Sequence, residues 1–305
     1  MIGVILDFNI SWWESLLLGL VQGLTEFIPV SSSAHLNILH TFFGHPRKLT
    51  YDVILSVGTS IALLWFFRHD WKALFTDKSQ AKLRNLIFSS CVPAALLGVV
   101  LKKSRLTEIS PIADAWFNGV LLVAAGLVLL WSDRVGKQER EMSSVGFKDA
   151  MIVGCSQAIA LFPGVSRSGA TLTAGLFLGM TRESAARFSF LMSLPINIGA
   201  TAYACYDDFK NGAGWATVGA TPAVMILGIA ASAVSGFWAI GFLLNFLKKR
   251  DVMPFVIWRI VVALIVWGLI AAGRIPMTQP TNKTAQVAGT KVVSHASTQT
   301  QRERP

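Results

Sequence analysis

Two long apolar stretches of this chain, residues 11–45 and 149–180, are each broken near the middle by a polar, helix-ending segment. The first break reads Ile28-Pro29-Val30-Ser31-Ser32-Ser33-Ala34-His35, and the second reads Phe162-Pro163-Gly164-Val165-Ser166-Arg167-Ser168-Gly169. The halves on either side are too short to cross a hydrocarbon layer, which takes about 20 helical residues. Six further stretches, 50–68, 85–103, 114–131, 184–206, 217–244 and 253–272, approach that length. Broken backbone at membrane depth is tolerated only where protein or a wet cavity surrounds it. Each interrupted region therefore predicts a re-entrant helix pair with a polar tip.

Composition agrees with a bilayer as solvent. Charged residues are 14% of the 305, where a soluble domain carries about 25%. A water-soluble globule, a coiled coil and a disordered chain are excluded on that ground. The net charge of +10 would suit nucleic acid, but excess Lys and Arg on cytoplasmic loops explains it more simply, and no nucleic-acid partner is expected. Cys91, Cys155 and Cys205 lie far apart in apolar stretches with no Cys-x-x-Cys spacing, so they read as small core residues. The N-terminus lacks a basic segment, so the first apolar stretch is expected to stay in the mature protein.

The two breaks match each other at a spacing of 135 residues. Gln22 aligns with Gln157, Phe27 with Phe162, Ser31 with Ser166 and Ser33 with Ser168, without a gap. Three spans lie between the two hairpins, so the second is expected to enter from the opposite face. The predicted fold is an all-α polytopic membrane protein: six transmembrane helices plus two re-entrant helix hairpins in an inverted repeat, an arrangement whose broken elements meet near the midplane. It forms one membrane domain, 1–272, with repeats of about 11–103 and 149–244, extra helices at 114–131 and 253–272, and a disordered polar tail at 273–305. The face that holds residues 69–84 carries 14 Lys and Arg, against six on the other. The positive-inside rule makes that face cytoplasmic and puts both termini and the mouth of the first hairpin outside.

Ionisable groups in such stretches cost roughly 2.5–3.5 kcal/mol at the bilayer centre, which makes them functional candidates. They are Glu26, His35 and Arg167, with Arg259 in the last span. Gln22 and Glu26 share a helix face and could hold a divalent cation or orient a nucleophile. Ser32 and His35 follow the first break, where a hydroxyl could be activated by a base. Arg167 offers a planar donor array for phosphate oxygens, and Ser166, Ser168 and Thr171 add hydroxyls. A helix over 170–180 would aim its N-terminus at the same anion. One hairpin then supplies base and nucleophile and the other an anion cradle, a pairing suited to attack on a phosphoryl group carried by a lipid.

Plainer readings compete with these. The serines could merely cap helix ends, Glu26 and Arg167 could serve packing, and His35 could sit at the interface. Arg259 reads as a structural charge bound to carbonyls or an acidic partner. His40, His45 and His69 are expected in water, and Trp12, Trp13 and Trp71 as interfacial anchors.

The segment from Gln22 through Thr25-Glu26-Phe27-Ile28-Pro29-Val30-Ser31-Ser32-Ser33 to His35 resembles the first signature of the undecaprenyl-diphosphate phosphatases, the bacitracin-resistance family. Pro163-Gly164-Val165-Ser166-Arg167-Ser168-Gly169-Ala170-Thr171 resembles the second, and the similarity covers about 11–272. The resemblance implies hydrolysis of undecaprenyl diphosphate to the monophosphate and phosphate, which recycles the carrier lipid of peptidoglycan synthesis in the bacterial inner membrane. It implies Glu26 as essential carboxylate and tentative metal ligand, Ser32 as nucleophile and His35 as aid to proton transfer. Arg167, Ser166, Ser168 and Thr171 would bind the diphosphate, with Gln22, Ser31 and Ser33 beside them, and Mg2+ or Ca2+ would be the cofactor. Attack by His35 or by water stays open. Gln22 stands where many members carry Glu, and Ala34 where Gly is usual. The partners expected are the polyprenyl diphosphate, the membrane and a second copy in a homodimer. A polyprenyl-phosphate flippase would share the inverted repeats. The acid-phosphatase type of lipid phosphatase would need a Lys-x6-Arg-Pro element, which is absent from this sequence.

Overall fold

The computed structural model describes residues 9–44, 49–104, 114–210 and 218–277. Among them the chain is helical, with no strand. The first half holds α1 (Trp12–Phe27), α2 (Ser32–Phe42), α3 (Leu49–Phe66), α4 (Arg68–Thr76), α5 (Ala81–Ser104) and α6 (Ala115–Val135). The second holds α7 (Phe147–Ile159), α8 (Arg167–Phe177), α9 (Arg182–Lys210), α10 (Pro222–Leu247) and α11 (Met253–Ala271). The polar tail from 278 onward, His45, Arg47 and Lys48 lie outside the described residues.

The chain is a polytopic membrane protein. Helices α5, α6, α9, α10 and α11 are each long and apolar enough to cross a bilayer, and α3 with α4 makes a sixth candidate bent by 69°. The sequence marked residues 69–84 only as a basic stretch between two spans, with no helix assigned. Helix α4 occupies the start of that stretch, at Arg68-His69-Asp70, where the chain bends away from α3 by 69°. Outer faces are apolar throughout, as at Trp65, Leu96, Ile226 and Val234, surface that water would not tolerate but lipid solvates.

Two expectations fail for related reasons. Cys155 and Cys205 are exposed on outer faces, not in the core, because apolar patterning cannot separate a lipid-facing position from a buried one. His40 is buried, not in water, with Nε2 3.1 Å from Asp52 Oδ1. His69 is exposed as expected.

Lipid gives helices little hydrophobic reason to associate, so close approach of small residues does that work. Helix α1 lies along α10 and α7 along α5, while α3 and α9 pack on each other and on α10 and α5 respectively. Gly19 of α1 and Gly154 of α7, 135 residues apart, occupy like places. A side chain on Gly19 would strike the carbonyl of Gly228, and one on Gly154 the carbonyl of Ser90. Both hairpins also start alike. Glu14 accepts from the backbone N–H of Ser11 at 2.7 Å, and Asp149 from that of Gly146 at 2.9 Å. A core cluster that includes Phe27, Val30, Leu63, Leu172 and Phe190 fills the space beneath the two tips.

Candidate active site

The tips meet. Each second arm begins at a serine with an unusual backbone: Ser31 has φ 72° and ψ 93°, and Ser166 has φ 71° and ψ 119°. Side chains are rarely held at positive φ, and such positions cost about 1–3 kcal/mol and gather at functional sites. The turn places the next residue, Ser32 or Arg167, at the first position of its helix. Helix α8 thus starts at Arg167 and not at 170, because the strained serine caps it and its hydroxyl accepts from Gly169 N–H at 3.3 Å. The hydroxyls of Ser31 and Ser33 pair at 3.1 Å, and those of Ser166 and Ser168 at 3.3 Å.

Glu26, in the last turn of α1, is the hub. Its Oε1 accepts from Arg167 Nη2 at 2.6 Å, and its Oε2 accepts from Ser32 Oγ at 2.8 Å and from Gln22 Nε2 at 3.1 Å. The Glu26–Arg167 pair is mostly shielded from solvent, with 14% and 17% of the two side chains exposed. A carboxylate on a serine hydroxyl and a guanidinium across the gap could deprotonate Ser32 and hold an anion. Arg167 is steadied further by Asn197 Oδ1 and, at 3.4 Å, by the carbonyl of Ser193. Gln22 is itself held by Ser56 Oγ at 3.3 Å.

Arg259 locks the tips together from below. Its buried guanidinium donates to the carbonyl of Pro29 in the first break (3.3 Å) and to those of Gly164 (3.1 Å) and Val165 (2.7 Å) in the second. A fourth bond, from Nε to the Leu122 carbonyl at 2.9 Å, ties α6 to the same point. Carbonyls freed by the broken helices are thus satisfied by one cation, the structural role read for Arg259. Ser168 Oγ adds a link to the Ile28 carbonyl at 3.3 Å.

Other site residues fall elsewhere. His35 bonds neither Glu26 nor Ser32: its Nδ1 lies 2.8 Å from the Ser31 carbonyl and its Nε2 2.8 Å from Trp258 Nε1. Thr171 is buried, and its hydroxyl bonds Ser189 Oγ at 2.5 Å and the Arg167 carbonyl at 2.9 Å, which fastens α8 to α9. Asn197, Ser56 and Trp258 were not read as site residues. A polar Asn197 two residues after Pro195 inside an apolar span was the available signal; Trp258 gave none, since a tryptophan near a membrane interface is ordinary.

The sequence profile of "Bacitracin resistance protein BacA" matches residues 15–265. The chain belongs to the BacA family. Relatives named undecaprenyl-diphosphatase include one from Anaeromyxobacter sp. (strain Fw109-5), 37% identical over 89% of this chain and 93% of its own. Another, from Trichlorobacter lovleyi, is 40% identical over 84% of this chain and 96% of its own. A third, from Moorella thermoacetica, is 40% identical over 83% and 95%.

The divalent cation implied for the BacA family can be tested against the donors. Among the described residues no cluster of three or more His, Cys, Asp or Glu could hold a metal alone. The site offers one carboxylate, Glu26, with the oxygens of Ser32 and Gln22 close by. That set is too small for a resident ion but fits Mg2+, which is commonly bound through one or two carboxylates together with substrate phosphates.

Proposed function

We infer that the chain is an undecaprenyl-diphosphatase, a membrane hydrolase that converts undecaprenyl diphosphate to undecaprenyl phosphate and inorganic phosphate. The observation that carries the reading is the meeting of Ser32, Glu26 and Arg167 at two touching hairpin tips, in a chain whose relatives bear that name. By returning the monophosphate carrier, the reaction serves peptidoglycan synthesis and underlies bacitracin resistance. The relatives are named as hydrolases, so the flippase reading has no support from them.

The diphosphate displaces Glu26 from Arg167 and takes the guanidinium's fork for its own oxygens, aided by the hydroxyls of Ser166 and Ser168. Ser32 Oγ, 2.8 Å from Glu26 Oε2, gives up its proton there and attacks the terminal phosphorus. The bridging P–O bond breaks and undecaprenyl phosphate leaves. Water then cleaves the phosphoserine, and Ser32 recovers its proton from Glu26. Serine is favoured over His35 as nucleophile because the Ser32 hydroxyl already sits on a base, Glu26 Oε2 at 2.8 Å, whereas His35 bonds neither Glu26 nor Arg167. A divalent cation arriving with the substrate would neutralise charge on the phosphate oxygens, with Glu26 as its protein ligand.

The match between hairpins supports an inverted repeat, and the basic excess on the face of residues 69–84 supports a cytoplasmic position for that face in the bacterial inner membrane. The mouth of the first hairpin and both termini then face outward, and the assembly is left between a single chain and a homodimer. A reporter fused after Arg274 is expected to be active only outside the membrane, and the mass of the purified particle checks the dimer. The deciding assay is phosphate release from polyprenyl diphosphate by the purified protein. Release that stops with chelator and in Glu26→Ala supports the reading, and no release by the unaltered protein overturns it.

A further inference from the structure

His35 is held from two sides in a way that fixes its protonation. A carbonyl oxygen only accepts, so the 2.8 Å contact with the Ser31 carbonyl requires the proton on Nδ1. An indole N–H only donates, so the 2.8 Å contact with Trp258 requires a bare lone pair on Nε2. The two ring planes are near parallel, 17° apart, with centroids 6.2 Å apart, and the indole N–H donates to Nε2 from the flank of the imidazole. His35 is therefore neutral, in the Nδ1–H form, with its free nitrogen capped.

The cap stands on the lipid side. Trp258 is half-exposed on α11, and Val261 and Ile265, three and seven positions further on the same face, are among the exposed apolar residues of that helix. A substrate whose diphosphate sits at the hairpin tips must lay its prenyl chain on some such apolar ridge. An apolar chain cannot replace Nε2 as acceptor, but it can pack on the indole face and swing the ring off the imidazole.

Resting on the diphosphatase reading, we propose that Trp258 is a positioning and specificity residue: it holds His35 in the Nδ1–H form and withholds Nε2 until a long prenyl chain displaces the indole. The bilayer-facing tryptophan thereby makes the site answer to lipid diphosphates rather than to short, soluble ones.

Two measurements on the full-length protein in nanodiscs test this. With histidine 15N-labelled, the Nε2 signal of His35 is expected to move in Trp258→Phe, while the signals of the other histidines among the five hold still and report an intact fold. An unmoved His35 signal overturns the proposal. In turnover, the ratio of kcat/KM for a long-chain polyprenyl diphosphate to that for farnesyl diphosphate is expected to narrow about tenfold in Trp258→Phe, the scale of one hydrogen bond. That narrowing should vanish when His35→Gln is added. Equal changes for both substrates, or narrowing that survives without His35, overturn it. If the unaltered protein releases phosphate from neither substrate, the diphosphatase reading fails, and the nitrogen spectrum still decides the Trp258–His35 contact.

Discussion

The tip of the first hairpin and the tip of the second follow one path, 135 residues apart. Ser31 and Ser166 share a positive φ, Ser33 and Ser168 return a hydroxyl to them, and Glu14 and Asp149 bind the N-termini of the preceding arms. The side chains that carry chemistry do not repeat. Glu26 corresponds to Leu161, Ser32 to Arg167 and His35 to Ala170. Had both tips kept a carboxylate, like charges would face each other across the gap with no group to hold an anion. The backbone geometry recurs at both tips, while the groups proposed as base and nucleophile lie on one and the cation proposed to bind phosphate lies on the other.

The sharpest way to break this division is to remove the base. Glu26→Gln is expected to lower kcat by about 10^3-fold, within the range for lost general-base catalysis, and Leu161→Gln at the matching place should leave turnover within a few-fold. Phosphate release under saturating substrate measures both. Next in size is the group that both tips share. Arg259→Met leaves carbonyls of both breaks without a donor, at about 1–3 kcal/mol each, and should lower the thermal midpoint well below that of any tip variant.

The paired glutamines should diverge in sign. Gln22→Leu removes bonds to Glu26 and Ser56 and is expected to cost about tenfold in kcat/KM. Gln157 has both polar side-chain atoms buried with no hydrogen-bond partner among the described residues. Gln157→Leu should therefore stabilise the fold by about 1 kcal/mol, read as a higher thermal midpoint, with activity kept. A stabilising Gln22→Leu would erase the distinction.

The smallest effect concerns the entry to the second hairpin. The Arg140 guanidinium, 2.6 Å from Asp149, holds that carboxyl below the usual carboxylate range. A depressed folded value means the contribution is present at neutral pH and is lost as pH falls below about 4, the unfolded value, toward the folded one. Asp149→Asn should cost under about 1 kcal/mol at pH 7 and nothing measurable in strong acid, where the unaltered protein has lost the same contact. Thermal midpoints at the two pH values check this.

Much of the architecture was legible because it rests on length and interruption. The spans and both breaks could be read from apolar runs, and Glu26, Ser32 and Arg167 stood out as polar groups where lipid makes them expensive. Helix α4 was missed because a short helix that bends off the preceding span has no apolar run to mark it. Cys155 and Cys205 were misplaced because lipid and protein core select the same residues, and His40 because its partner Asp52 lies on another helix.

By itself the sequence determined a bilayer protein with two broken elements, since backbone polar groups and charges in hydrocarbon are too costly to appear without purpose. Only the tertiary structure decided which groups face which. It put Arg167 on Glu26 across 141 residues, gave Arg259 to the carbonyls of both tips, turned Thr171 away into helix packing and capped His35 with Trp258. Those pairings join helices remote in the chain, and hydrogen bonds act over about 3 Å, a distance that no local pattern of residues encodes.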